Sequence, residues 1–397
     1  MYDVVIVGAG ASGLFSACNL RNLNKKISIL LLEKTDKIGK KLSITGNGRC
    51  NLGNKNIDIK NYSSNSDLSR FKDILENNYY LNSLQSFGIF TKDDNGLIYP
   101  YSNQASGVVK SFEKYIEKNN INIKYNYIVD KIDKSNDYYI INDDLKCKYL
   151  IIATGGMSYP KTGSTFDGLK LLKTYHNHHK IYPSLVPLIS NYRYLKDLSG
   201  VRHNSRVKLF VDNELIKEEQ GQVQFTDYGL SGICVFNLSR NVKEYIDNNK
   251  KVVLSLDLMP DLLDKDVISF IRRFGNYRIE EAFSNILNNK LSIVISKDLN
   301  TIGKKVKSIY DLDFILKKIH AFNFEIIDTK DYKVAQVTKG GLSLDEFTDY
   351  LESKKLKNLY VVGETLDCDG ICGGYNLAWA FTTSLLATEN IINNMNK

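Results

Sequence analysis

Apolar residues along this chain fall into three patterns, and each predicts a different kind of element. Nearly unbroken runs, Val4–Val7 ending on Gly8, Ile27–Leu32 ending on Glu33 and the run that ends on Ala153-Thr154-Gly155-Gly156, read as strands buried on both faces of a parallel sheet. Alternating apolar and polar positions through VRHNSRVKLFVDNELIKEEQGQVQFTD (201–227) predict short strands joined by turns in a β-rich insertion. Spacings of three and four, as in Val267-Ile268-Ile271 and Ile315-Leu316-Ile319, predict helices through 261–321. Helices are also expected across 67–118, interrupted by a hairpin turn at Asp94-Asn95-Gly96, and a three-strand ribbon across 121–156. A last strand, Leu359–Val362, precedes a glycine-rich loop and a long apolar helix starting near Gly374. The expected domain limits follow. Residues 1–186 and 343–397 are two parts of one α/β domain, 187–258 with 322–342 form the β-rich insertion, and 259–321 form a helical subdomain.

The first strand runs straight into Gly8-Ala9-Gly10-Ala11-Ser12-Gly13, a helical pattern follows, and the second strand closes on Glu33, twenty residues past Gly13. Gly8 permits the tight turn, Gly10 lets backbone approach a pyrophosphate, and Gly13 lets helix and strand pack closely. The helix start at Ala11 and Ser12 offers unpaired N–H groups and a positive dipole end to the phosphates. Glu33, with Lys34 beside it, ends the strand where a ribose diol is held in this arrangement. The stretch predicts a bound dinucleotide.

Other segments converge on the same ligand. In KTDKIGKKLSITGNGRCNLGN, Lys40, Lys41 and Arg49 bring positive charge, while Gly46 and Gly48 free the backbone around Asn47. Such a loop suits the far side of a pyrophosphate, and an exposed basic loop is the alternative reading. Thr154-Gly155 brings a backbone bend towards the ligand, and Val129 is placed to meet an adenine. Gly363-Glu364 and the helix start at Gly374 repeat the strand, glycine, acid and helix order of the N-terminus. That second helix start can aim N–H groups at an anionic edge of the cofactor.

Composition narrows the class. Of 397 residues, 43% are hydrophobic and 25% charged, the balance of a soluble globular chain, and no apolar run approaches the length of a membrane span. The six cysteines lack disulfide or zinc spacing and read as reduced thiols in a cytoplasm. The net charge of +8 is dispersed rather than gathered into a stripe, so no nucleic-acid partner is expected. His176, His178 and His179 have no Cys or acid at ligand spacing, so no metal is assigned, and they are expected to meet a helix C-terminus.

Taken together, GAGASG, GKKLSITGNGRCN, ATGGMSYPKTGSTFDG, PSLVPL, FTDYGLSG, VTKGG and GETLDCDGICGGYNLAWA resemble the BaiN-type flavoproteins, described as aminoacetone-oxidase-like or NAD(P)/FAD-dependent oxidoreductases. The resemblance spans nearly the whole chain, and GNGRCN and GGYNLAWA are its most specific parts. It implies FAD in a glutathione-reductase-like Rossmann fold with an inserted β-barrel and a helical subdomain. Among cofactor contacts it implies the first glycines, Glu33 for the adenosine ribose, and Lys41 with Arg49-Cys50-Asn51. It adds the Thr154-Gly155 bend, Gly363-Glu364, and Asn376-Leu377 at the last helix. Two positions depart from the family pattern. Phe166 stands where a glycine is usual, and Ile233-Cys234 replaces the usual continuation of GLSG.

The expected activity is hydride transfer between an organic small molecule, or NAD(P)H, and bound flavin. An amine oxidase using O2 is the alternative, as is a flavin-bearing redox sensor or accessory protein without turnover. Cys50 has no C-x4-C partner, which argues against a dithiol-disulfide reductase, and Cys368 and Cys372 are assigned no role. The lack of a second G-x-G-x-x-G argues against resident NAD(P)H and leaves a transient visit to the flavin. No catalytic base is assigned, and Tyr228 and Tyr375 are as well explained by packing as by a role near the flavin. A hydrolase is disfavoured, because no G-x-S-x-G is present. The sequence does not indicate an oligomeric state.

Overall fold

A computed structural model describes all 397 residues. By its internal contacts the chain divides into two units, residues 1–182 with 336–397, and residues 183–335.

The first unit is built on a seven-stranded sheet. Strand β1 (Tyr2–Val7) lies between β2 (Ile29–Leu32) and the strand Leu145–Ile152, parallel to both, with Val4–Val7 in register with Ile29–Leu32 and Tyr149–Ile152. Val4, Val5 and Ile6 are fully buried, as are Leu150, Ile151 and Ile152, which is why these runs carry no polar alternation. Burying each such side chain stabilises the fold by about 1.5–3 kcal/mol. Strand Leu145–Ile152 divides its partners between two directions. Its first residues pair antiparallel with Tyr138–Ile141, and its last residues pair parallel with Leu359–Val361. The expected ribbon across 121–156 is thus split, because Asn122–Lys124 pairs with β2 at the far edge while Ile132–Ser135 continues the meander.

Helix α1 (Ala11–Leu23) has buried residues on every side from Ser12 to Leu20. One cover is the helix Tyr375–Met395, 21 residues long. Small side chains let the two approach. The Ser384 hydroxyl donates to the Ser12 carbonyl (3.0 Å), Asn19 Nδ2 donates to Thr388 Oγ1 (2.8 Å), and Phe15 packs on Phe381 with ring centroids 5.4 Å apart. Between residues 67 and 118 the expected helices appear at Lys72–Glu76, Tyr80–Ser86 and Ala105–Lys118. Thr91–Asp94 and Leu97–Pro100 form the hairpin between them, turning at Asn95 and Gly96, both at positive φ.

The second unit contains a closed six-stranded barrel, in the order Leu188–Ser190, Gly229–Ser231, Glu214–Phe225, Arg202–Val211, Val252–Asp257 and Phe322–Thr329. The alternation through 201–227 is not several short strands but one long hairpin of 10- and 12-residue strands, turning at Asp212-Asn213. Both turn residues have the positive φ that a tight hairpin needs, and no glycine or proline interrupts the strands early enough to shorten them. Helices Asp264–Arg272, Ile279–Phe283, Asn289–Asp298 and Asp313–His320 fill the connection between the last two strands. Val267, Ile271, Ile315, Leu316 and Ile319 join the barrel in one buried cluster.

Of the three histidines expected at a helix C-terminus only His176 meets one, its backbone N–H donating to the Leu172 carbonyl (3.0 Å). The helix begun at Asp167 ends at Leu172, and His178 and His179 lie on the strand His178–Ser184. His176 is buried, stacked on Phe347 and paired with the Ser353 hydroxyl at 2.7 Å, and burial lowers its pKa, so the ring is uncharged.

Candidate functional site

The N-terminal turn has the geometry of a phosphate cradle. Gly10 caps α1 with no side chain closing the helix end, so the first-turn N–H groups stay available. A Cβ on Gly10 would meet no protein atom within 4 Å, and the same holds for Gly48 and Gly155. Gly8 and Gly13 are the reverse. A Cβ on Gly8 would sit 2.5 Å from the Ala153 carbonyl oxygen, and one on Gly13 only 1.8 Å from that of Gly8. The first set borders open space and the second set makes the turn, which is the division a bound pyrophosphate requires.

Glu33 is fixed at the edge of this cradle. Its carboxylate accepts from the Ala9 N–H (3.0 Å) and from both the N–H and hydroxyl of Thr35 (2.8 Å each). A carboxylate so placed beside the turn is the acceptor that a ribose diol needs. Lys34 turns elsewhere, to Asp167 at 2.6 Å and to the Thr165 hydroxyl. Burial works against the charge of Asp167, but the hydrogen bonds from Lys34 and Thr165 hold its carboxyl below the usual range.

Glu364 joins four separate segments. Lys41 pairs with one of its oxygens at 2.8 Å, the Thr338 N–H donates to the other at 2.8 Å, and Ser158 lies 3.5 Å away. Gly156 packs so closely that a Cβ there would be 2.5 Å from the Glu364 oxygen. Neighbouring Gly363 has φ +70°, and its Cβ would collide with the Ser12 hydroxyl at 2.2 Å, which ties this turn to the start of α1. Thr154 Oγ1 accepts from the Gly168 N–H (3.0 Å), and the Thr365 hydroxyl donates to the Gly155 carbonyl (3.3 Å).

The basic loop and the last helix meet through Asn51. With its amide turned so that the nitrogen faces acceptors and the oxygen faces a donor, it donates to the Gly53 carbonyl (2.7 Å) and accepts from the Gly374 N–H (3.1 Å). Arg49 stacks over Tyr99 (4.2 Å), is paired with Asp94 (2.8 Å), and is half-exposed. Cys50 is buried, and burial pushes its thiol up to about 11, so it is neither a thiolate nucleophile nor an exposed redox partner. Val129 is buried, and Leu377 is half-buried against the same core. The Asn376 side chain is engaged with the backbone N–H and carbonyl of Gly370, at 2.9 Å each. The Tyr375 hydroxyl accepts from Asn61 (2.9 Å) and donates to the Asn56 carbonyl (3.3 Å), and Tyr228 lies under the Lys330 ammonium (3.8 Å).

Thr338 and Ser158 escaped sequence reasoning. Thr338 accepts from the Met157 N–H (2.8 Å) and donates to Glu364, and its place in VTKGG was the signal available. Asp367, almost fully buried, also went unread. It accepts from the backbone N–H and side-chain amide of Asn65, at 2.8 and 2.9 Å. No helix of the chain is long and apolar enough to cross a membrane, and no group of three or more His, Cys, Asp or Glu side chains is arranged to hold a metal ion.

Residues 2–390 match the family model described as "HI0933-like protein Rossmann domain". The chain is similar to the 3-dehydro-bile acid delta(4,6)-reductase of Clostridium scindens, at 30% identity over 98% of both chains. It is also similar to the ribosomal RNA dihydrouridine synthases of Escherichia coli and Haemophilus influenzae, at 26% and 27% identity over 98% of each chain. Among solved structures, the 3-ketosteroid delta1-dehydrogenase of Sterolibacterium denitrificans aligns over 99% of both chains with a TM-score of 0.50 and 11% identity, a likeness of fold.

Proposed function

This chain belongs to the HI0933-like Rossmann family and is an FAD-dependent oxidoreductase, and on that premise we propose that it reduces a carbon–carbon double bond conjugated with a carbonyl group, using NAD(P)H as reductant. The observation that carries the reading is the full-length similarity to relatives whose named activities share one reaction. A delta(4,6)-reductase acting on a 3-dehydro-bile acid and a dihydrouridine synthase each saturate such a bond.

FAD, when bound, supplies the hydride acceptor and donor. The residues of this chain hold and orient it. The α1 N-terminus with Gly10 would receive the pyrophosphate and Glu33 the adenosine ribose, with the turn at Gly155 as a further backbone contact. Lys41 and Glu364, the latter also held by the Thr338 N–H, would hold the cofactor from other segments of the chain. The balance of the reaction is one hydride from NAD(P)H to the electron-poor carbon and one proton from solvent to its neighbour. A visiting nicotinamide suits a chain with one dinucleotide turn, and the buried, unpaired Cys50 leaves dithiol chemistry without support. The similarity to the two ribosomal RNA dihydrouridine synthases favours a second reading, a uracil ring within RNA as substrate.

The test is anaerobic incubation with NADH or NADPH and, separately, a conjugated steroid ketone, a uridine-containing RNA and a panel of amines. The proposal expects a product gaining two hydrogens from the ketone or the uridine. Oxidation of an amine with neither gain would contradict it in favour of the oxidase.

A further inference from the structure

Residues 156–166 form a loop whose ends are joined by the Phe166 N–H donating to the Gly156 carbonyl (3.1 Å). The stem is fixed by Thr338, which accepts from the Met157 N–H (2.8 Å) and pairs with the fully buried Ser158 hydroxyl (3.1 Å). The tip is held by other means. A Cβ on Gly163 would lie 3.1 Å from Thr35 Cγ2 and 3.3 Å from Lys34 Cε, so the tip rests on the residues that follow Glu33. Lys34 Nζ donates to Asp167 (2.6 Å) and to the Thr165 hydroxyl, which itself donates to Asp167 (2.8 Å). The charged pair is mostly shielded, with side-chain exposures of 24% and 25%. Tyr159, Gly163 and Phe166 all have left-handed backbone, with φ of +55°, +99° and +57°. For the tyrosine and phenylalanine that conformation is strained, so the loop depends on its ties to keep its shape.

We propose that loop 156–166 covers the adenosine end of the cofactor site, and that Lys34, tied to Asp167 and Thr165, is the positioning residue that holds the cover closed and slows the release of FAD. The inference rests on the reading of Glu33 as the ribose acceptor, and it gives Lys34 a role without direct contact to the cofactor. Asp167 is the fixed anchor, since it opens the helix Asp167–Leu172, whose Gly168 is packed against Thr154.

The experiment is the rate of FAD release from the full chain, read as the rise in free-flavin fluorescence after dilution into excess flavin-scavenging apoprotein. Loss of one charged partner, in Lys34→Met or Asp167→Asn, is expected to speed release about tenfold. Lys34→Arg should stay close to the parent rate, and Lys34→Asp combined with Asp167→Lys should recover much of the loss, which a general defect in folding would not allow. Thr165→Val, a milder change at the same tie, serves if a charge variant does not fold, and is expected to speed release about threefold. Folded variants that release FAD at the parent rate overturn the cover. A parent protein that takes up no FAD overturns the cofactor reading beneath it.

Discussion

A methyl group added at Gly13 would lie 1.8 Å from a carbonyl oxygen, whereas one added at Gly10 would meet nothing, and this contrast separates folding from binding at single positions. Gly10→Val is therefore expected to fold with a parent-like circular dichroism spectrum and to purify with less than about a tenth of the parent's FAD, because the side chain fills the pyrophosphate's place. Normal flavin content in that variant would contradict the cradle. Phe166 poses a question of magnitudes. Its left-handed backbone costs about 1–2 kcal/mol, but its ring is 3% exposed, and deleting a buried ring costs about 3–5 kcal/mol. The ring wins, so Phe166→Gly should lower stability by about 2 kcal/mol in urea unfolding despite relieving the backbone. A stabilised variant would show that strain dominates. At this scale the sequence was informative about backbone and poor on side-chain partners. Gly8, Gly10 and Glu33 could be read because a G-x-G-x-x-G turn fixes their surroundings locally. The bond of Lys34 to Asp167 spans 133 positions, and no local pattern encodes it.

Elements are joined by a few polar contacts whose removal should be measurable. Asn51 links the basic loop to the start of the helix Tyr375–Met395 through Gly374, whose φ of +94° and close approach to the Gly53 backbone admit no side chain. Asn51→Ala leaves the Gly374 N–H and the Gly53 carbonyl without this partner and should cost about 1–3 kcal/mol in urea unfolding. An unchanged midpoint would contradict the joint. In the second unit, His320 sits between Asp257 (2.7 Å) and Asp264 (2.8 Å) and ties a helix end to a barrel strand. Burial works against its charge, yet the two carboxylates prevail and raise its pKa above the ordinary 6.5. A raised pKa in the folded state gives stability that is complete below the unfolded value and lost as pH rises through the folded one. His320→Gln should therefore destabilise the protein at about pH 6 and have little effect at about pH 9, by urea unfolding at both. An equal loss at both would show that the pair acts only by packing. Periodicity located most of these elements, since the helices of 261–321 and the hairpin at Asn95 obey local rules. It misjudged lengths where turn chemistry was the only stop, as in the long hairpin around Asp212-Asn213, and it could not foresee that Asn122–Lys124 crosses to the far side of β2.

For the whole molecule, the two glycine turns, at Gly8–Gly13 and at Gly363, come together because helices α1 and Tyr375–Met395 pack on each other through serines, threonines and asparagine. That convergence was legible as a repeated strand, glycine and acid order, although the pairing of Glu364 with Lys41 and Thr338 was not. The barrel was legible as alternation, its closure only through family resemblance, because closure depends on the pairing of Leu188–Ser190 with Phe322–Thr329 across a long stretch of chain. The central claim is that this scaffold holds one FAD and passes hydride through it from NAD(P)H to a conjugated double bond. The most direct measurement is anaerobic double mixing followed by visible flavin absorbance, first with NADH or NADPH and then with a conjugated ketone or a uridine-containing RNA. The account predicts a yellow protein that bleaches with the nicotinamide and regains its colour with the acceptor in the absence of oxygen. A protein that purifies colourless and takes up no FAD, or whose flavin neither nucleotide bleaches, would contradict it.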